Sequence, residues 1–288
     1  MRPARFVVGC VALAAVGCKR AAPPPPPARL VEVRVIDRAP DVGIARTDAL
    51  AARIAERFRA RSGIEVALGA APSPGVDWRL RVDIGVDAGE VDGKQVLRAI
   101  VAARMARVRG GAGESPVESR GIAEREVGKE EKVERKAAMG AHLERAVDDV
   151  IAGLIAKVKL HRAGSDGIVA ALATGEAEVR GEAMRVAADR KEVAAVAALI
   201  ALLKSEEPGE RDRVVGVLVE IGDRRAVKPL IEAAKFRDVE ELPKVIDALA
   251  SLGGEEARAW LEFVASGHGD SGVRDLAKEA LTRMDRPR

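Results

Sequence analysis

The sequence predicts an α+β protein, with a small α/β sandwich domain followed by a short all-α solenoid of stacked helical hairpins. Three observations predict it. Residues 30–36 and 78–86 alternate apolar and polar in the two-residue rhythm of half-buried strands. Val133, Ala137, Ala141, Val147, Ile151, Leu154 and Val158 fall on one face of a long helix. Beyond them, a helix, a tight turn and a second helix recur: Ala195-Val196 and Leu199-Ile200 stand 31 residues before Ala226-Val227 and Leu230-Ile231. A period of that size denotes helix pairs, each too small to bury its own apolar face without a neighbour.

The amino terminus reads as a leader. Met1 to Arg5 is basic, and Phe6 to Gly17 is an apolar run of 12 residues, too short to span a bilayer as a helix. The run ends Leu13-Ala-Ala-Val-Gly-Cys18, which resembles the lipobox of bacterial lipoproteins; a plain secretory signal or an N-terminal apolar helix is the alternative. The resemblance implies a signal peptide over 1–17, acylation of Cys18 and, with Lys19 next in line, delivery to the outer membrane on its periplasmic side. Cys10 would be discarded with the leader, leaving no free thiol in the mature chain. Residues 18–29 hold the lipidated Cys and a Pro-rich linker, whose five consecutive prolines (Pro23 to Pro27) favour a semi-rigid polyproline II stalk.

Residues 30–160 make the small α/β domain. Leu30 to Ile36 is a strand. A helix runs from Thr47-Asp48 through Leu50, Ile54 and Phe58 to Ser62-Gly63. Ile64 to Leu68 is a short strand, Ala71 to Gly75 a loop, and Trp78 to Val86 the clearest strand of the chain. Gln95 to Val108 and Val117 to Val127 follow as strands around a Gly-rich turn at 109–116, and the long helix closes the domain. The order is loosely similar to the small envelope domains related to the TolB amino-terminal domain and to the penicillin-binding-protein activator lipoproteins. That likeness implies a role in the envelope or in regulating cell-wall synthesis.

Residues 161–288 are the repeats. A helix carrying Val214, Val215, Leu218 and Val219 meets a turn at Gly222-Asp223, and a second helix starts near Ala226 with Pro229 in its first turn, where its missing N–H costs least. Leu249, Leu252 and Gly253 repeat Leu218, Ile221 and Gly222 after 31 residues, Trp260-Leu261 stand 30 after Leu230-Ile231, and Gly272 to Leu281 repeats the look of Glu178 to Ala183. These residues resemble the HEAT-like repeats also described as phycocyanobilin-lyase-type. The resemblance implies a binding scaffold whose second helices, about 193–204, 225–235 and 255–265, line the contact surface. The long helix before them is expected to cap the array.

Composition narrows the function further. Hydrophobic residues make up 48% of the chain but aromatic ones only 2%, so the core is built from Ala, Val, Leu and Ile. The 48 basic and 45 acidic residues nearly balance, and the +3 formal charge falls to +1 once Arg2 and Arg5 leave with the leader, so charge gives nucleic-acid binding no support. His142, His161 and His268 lack metal-ligand spacing. Gly269-Asp-Ser-Gly272 resembles a protease nucleophile signature, yet it lies between two helices, where Asp270 or Ser271 serves as an N-cap. Gly110 to Gly113 lacks the Lys-Ser/Thr of a phosphate loop. Trp78 and Trp260 read as core.

No catalytic, cofactor or metal residue is therefore assigned. The candidate residues are Cys18 for lipidation and Arg224, Arg225, Lys228, Glu232 and Lys235 for contact with an envelope protein. Arg190-Lys191 and Lys204 join Arg224-Arg225 as either a basic ridge or solvated turns balanced by Asp189 and Asp223. The expected function is that of a lipid-anchored, non-catalytic scaffold. The alternative is an envelope enzyme or cell-wall regulator with its site in 30–160, which requires Asp83, Asp87, Glu90 and Asp92 to converge on a closed pocket.

Overall fold

A computed structural model of the protein describes residues 29–38, 47–71, 77–108, 116–126, 132–234 and 240–286, and their side chains except those of 132–138 and 208. The first half runs β1 (Arg29–Asp37), α1 (Thr47–Arg61), β2 (Glu65–Val66), β3 (Asp77–Val91), β4 (Lys94–Arg107), β5 (Val117–Glu126) and α2 (Lys132–Leu160). The strands form one sheet in the order β2-β1-β3-β4-β5, with β1 parallel to both its neighbours and β3, β4 and β5 an antiparallel meander.

Alternation decides which face of the sheet is covered. Leu80, Val82 and Ile84 stand opposite Met105, Ala103 and Val101, all essentially buried against Ile54 and Phe58 of α1 and Val147, Val150, Ile151 and Leu154 of α2. β5 and α2 approach closely enough that a Cβ on Gly121 would lie 2.6 Å from Val150 Cγ2, so only glycine fits there without displacement. The opposite face carries Glu32, Arg79, Arg81, Asp83, Arg98 and Glu124, which pair among themselves. At the sheet's start, Arg29 Nε and Nη2 donate to the two carboxylate oxygens of fully buried Asp77 at 2.8 and 2.9 Å, a bidentate contact that locks the β1–β3 register.

Two elements depart from the expected bounds. The strand expected over Ile64–Leu68 is regular only at Glu65 and Val66; past it Ala67 N and Gly69 N still donate to Leu30 O and Val31 O, at 2.9 and 3.1 Å, as the chain turns at Gly69 (φ +76°). β3 runs five residues past Val86 to meet β4 across Asp92-Gly93, both at positive φ (51° and 76°), the backbone of a tight two-residue hairpin.

The second half is all helix: α3 (Ser165–Thr174), α4 (Ala177–Asp189), α5 (Val196–Leu202), α6 (Pro208–Ile221), α7 (Val227–Ala233), α8 (Leu242–Leu252), α9 (Glu255–Gly267) and α10 (Ser271–Met284), with single 3-10 turns at 193–195 and 224–226 leading into α5 and α7. Helices α4, α6, α8 and α10 stack in one row, and α3, α5, α7 and α9 in the other. The carboxyl end of α2 packs on α4 and extends the first row, so one continuous helix belongs to both halves. The period is a strict 31: Ala195, Ala226 and Ala257 are fully buried, as are Leu199, Leu230 and Leu261. The partner of Leu230 in the next repeat is thus Leu261, and the 30-residue match to Trp260 is one position out; Trp260 is half-buried at the junction of two apolar clusters, whereas Trp78 is buried as expected. α6 ends at Gly222 in the left-handed conformation (φ +75°), its N–H on Leu218 O; Gly253 ends α8 also at positive φ (+69°), with its N–H on Leu249 O, but in a more extended conformation (ψ −167°).

Candidate partner-binding surface

Arg224 and Arg225, neighbours in sequence, do different things. The Asp223 carboxylate caps the 3-10 turn by accepting from Arg225 N at 2.8 Å and also holds the Arg225 guanidinium at 2.7 Å. These hydrogen bonds keep the Asp223 pKa below its ordinary value. Arg225 reaches back to Val193 O at 3.2 Å. Arg224 reaches forward instead, its Cδ lying 3.6 Å from where a Cβ on Gly254 would be. Lys228 and Glu232 form an exposed i,i+4 pair at 4.0 Å on α7. Cys18 and Lys235 lie outside the described residues, as do the Pro-rich segment and residues 109–115 of the Gly-rich turn. The basic turns divide in the same way: Arg190 donates to the carbonyls of His161 and Ala163, tying the end of α4 to the end of α2, while Lys204 is exposed.

The four acids of the enzyme alternative do not converge. Asp83 lies on the bare sheet face, where the Arg81 hydrogen bond, opposed by burial and reinforced by Arg38, holds its pKa at about 2. Asp87 stands opposite Arg98, Glu90 accepts from Gln95, and Asp92 makes the hairpin turn. They are strung along one strand and its turn on an open sheet. Among the described residues there is no group of three or more His, Cys, Asp or Glu placed to hold a metal ion, and no helix is long and apolar enough to cross a membrane. In the protease-like motif, Asp270 Oδ1 accepts from Val273 N at 3.0 Å as the N-cap of α10, and buried His268 accepts from Asp270 N at 3.1 Å.

Two features escaped the sequence reading. The first is a ladder of ion pairs between first-row helices: Lys157 to Glu178 at 2.6 Å, Arg180 to Glu210 at 2.5 Å, Arg211 to Glu241 at 2.7 Å and Lys244 to Asp212 at 2.6 Å. Hydrogen bonds from Ser205 and Arg180 depress the pKa of buried Glu210. At the α2–α4 joint, burial would raise the pKa of Glu182, but bonding to His161 and Arg185 outweighs it and lowers the pKa. Spacings of 30 to 32 residues in the last three pairs were the available signal. The second is a cavity of about 590 Å³ walled by Arg224, Arg258 and Arg283 with Ala250, Gly254 and Met284. Arg258 pairs with Asp285 and Arg283 with Asp247.

Comparison with known proteins agrees with the helical half. Residues 165–242 match the HEAT-repeat family model. The chain therefore carries HEAT-like repeats. It is 39% identical over 90 residues to the bilin biosynthesis protein PecE of Mastigocladus laminosus, an alignment covering 31% of this chain and 34% of that protein. The chain thus spans about a third of the length of that curated relative. A hypothetical protein of Chlamydia trachomatis, CT253, aligns at 13% identity over 46% of this chain and 98% of its own, with a TM-score of 0.30.

Proposed function

We propose that this protein is a lipid-anchored scaffold of the cell envelope, binding a protein partner through its HEAT-like repeats without catalysis. The observation that carries it is the two-row stack running from α2 to α10, which presents an exposed ridge on α7 and a concave, cationic end beside α9. Anchoring rests on the lipobox-like ending at Cys18, and a periplasm-facing outer-membrane position on Lys19. The rigid joint at α2 suits a scaffold, because whatever the repeats hold stays in fixed relation to the sheet domain. Among the described residues, Asp83, Asp87, Glu90 and Asp92 lie along one open strand and its turn rather than in one site.

The test is photo-crosslinking from Lys228 and Glu232 in cell envelopes, together with labelling by a clickable fatty acid. Expected are a discrete protein adduct from either position and a lipid label that disappears in Cys18→Ser. An unlabelled wild-type chain in the soluble fraction sinks the anchor, and no adduct from either position sinks the scaffold. A second reading, a role in handling a linear tetrapyrrole, is favoured by the match to a protein of bilin biosynthesis. Titrating the chain with biliverdin decides it: an unchanged absorption spectrum leaves the scaffold reading in place, and a saturable spectral shift replaces it.

A further inference from the structure

The three repeat turns stand in strict 31-residue register, and their key position changes once. Glu192 and Asp223 occupy it in the first two, each accepting a backbone N–H two residues on, at 3.4 and 2.8 Å. The third has Gly254, which has no side chain to bond. A carboxylate is thus missing at the point where the Arg224 stem passes closest, and the cavity of about 590 Å³ opens there.

We propose that this cavity receives an acidic segment of a partner protein, whose carboxylate takes the place of the acid the repeat lacks. The inference rests on the scaffold reading and names the chemistry of its partner. Among the described residues, no ion pair engages Arg224. Arg258 is held by Asp285 and more loosely by Glu262 at 4.0 Å, and Arg283 by Asp247; these acids are 62%, 59% and 67% exposed, and such surface pairs are weak and open to exchange with an incoming carboxylate. Glu255 is the single acid of the lining, and it is exposed at the rim. The volume is that of a ligand site, far more than one small anion fills. Its apolar wall of Ala250 and Met284 suits the aliphatic stem of a glutamate, while Arg guanidinium groups suit its planar carboxylate.

The experiment is fluorescence anisotropy of a fluorescein-labelled oligoglutamate peptide titrated with the full chain. Expected is saturable binding that added salt weakens, that Arg224→Gln weakens about tenfold, and that Arg225→Gln leaves unchanged. Arg225 is the matched control, since it loses the same charge one residue away while facing Asp223 and Val193. Unfolding midpoints of both variants are measured to confirm intact folds. Absence of saturable binding overturns the proposal, as does equal weakening by the two variants. Inorganic phosphate that binds in preference to the peptide overturns the carboxylate assignment. A crosslinked partner at Lys228 that survives unchanged in Arg224→Gln overturns the cavity's role and leaves the scaffold reading standing.

Discussion

The sheet domain and the helical array bury similar side chains by opposite arrangements. In the sheet domain the decisive contacts join distant parts of the chain: Arg29 to Asp77 across 48 residues, Arg53 to Glu144 across 91, and α2 over β4 and β5. In the array each helix meets only its neighbours, and the ion pairs between successive repeats span 30 to 32 residues. A network of distant contacts fails as a whole, whereas a chain of nearest-neighbour contacts can fail one link at a time. Helix α2 belongs to both, so the array's first repeat inherits the cooperativity of the sheet.

The same substitution placed in each region should separate the two behaviours, and it carries the largest effect. Leu154 of α2 and Leu261 of α9 are both fully buried. Truncating either to Ala should cost about 2–5 kcal/mol through lost transfer energy and a residual cavity. Amide exchange is the measurement. Leu154→Ala is expected to lower protection across the sheet and into α4, Leu261→Ala only over residues 242–286. Loss of protection throughout the chain in Leu261→Ala would abolish the contrast.

Next in size is the ladder. Glu210 is buried and receives both Ser205 and Arg180, while Arg180 also holds Gly175 O at 2.8 Å. Glu210→Ala removes the link between α4 and α6 and should cost about 1–3 kcal/mol. In urea unfolding, the loss should appear mainly as early melting of α6 to α10. A loss shared equally by the sheet would make the ladder a property of the whole molecule.

What was legible in the sequence follows the same division. A 31-residue period of small aliphatic side chains can be read directly where Ala195 and Leu199 recur as Ala226 and Leu230, but in the third repeat Trp260 draws the match one residue off its true register at Ala257 and Leu261. Strand alternation likewise exposed β1, β3, β4 and β5, and the Ser62-Gly63 stop of α1 was correct: Ser62 Oγ donates to Phe58 O at 2.6 Å and accepts from Ile64 N at 3.0 Å. Hidden features were those that depend on a partner across the fold. The length of β3 depends on pairing with β4 around Asp92-Gly93, and β2 on the short stretch it shares with β1 before the turn at Gly69. The cavity was hidden for a third reason: its signal is an absence, Gly254 where two repeats have an acid, visible only once the register is known. Of the candidate contact residues, Arg224 reaches the cavity, while Arg225 is committed to Asp223 and Val193.

A smaller effect sharpens the comparison through pH. The pKa of Asp83 is lowered from 3.8 to about 2 by Arg81 and Arg38. A carboxyl with a depressed folded pKa takes up its proton more readily unfolded, so its stabilisation is complete above the ordinary value and lost as pH falls toward 2. Asp83→Asn should therefore be less stable than wild type near neutrality, with the difference closing as pH drops through that window. Urea midpoints across the acid range give the measurement, and a gap that stays constant would detach Asp83 from the acid response. The array has no counterpart on an open sheet face, and its half-buried Glu182 and buried Glu210 should instead couple acid sensitivity to the joints between helices.

The smallest effect concerns the α7 ridge. Lys228 and Glu232 are 70% and 66% exposed and 4.0 Å apart, so their attraction is spread through solvent. Replacing Lys228 with Ala should change stability by less than about 0.5 kcal/mol, the usual scale for such a pair. That near-silence makes the position useful: a residue that contributes little to its own fold can report on what lies outside it. If Lys228→Ala keeps its unfolding midpoint and loses the envelope adduct formed from Glu232, the ridge is a contact surface rather than a solvated helix face. If the midpoint falls by several degrees instead, Lys228 supports the repeat stack, and the contact surface must be sought at the arginine-lined end.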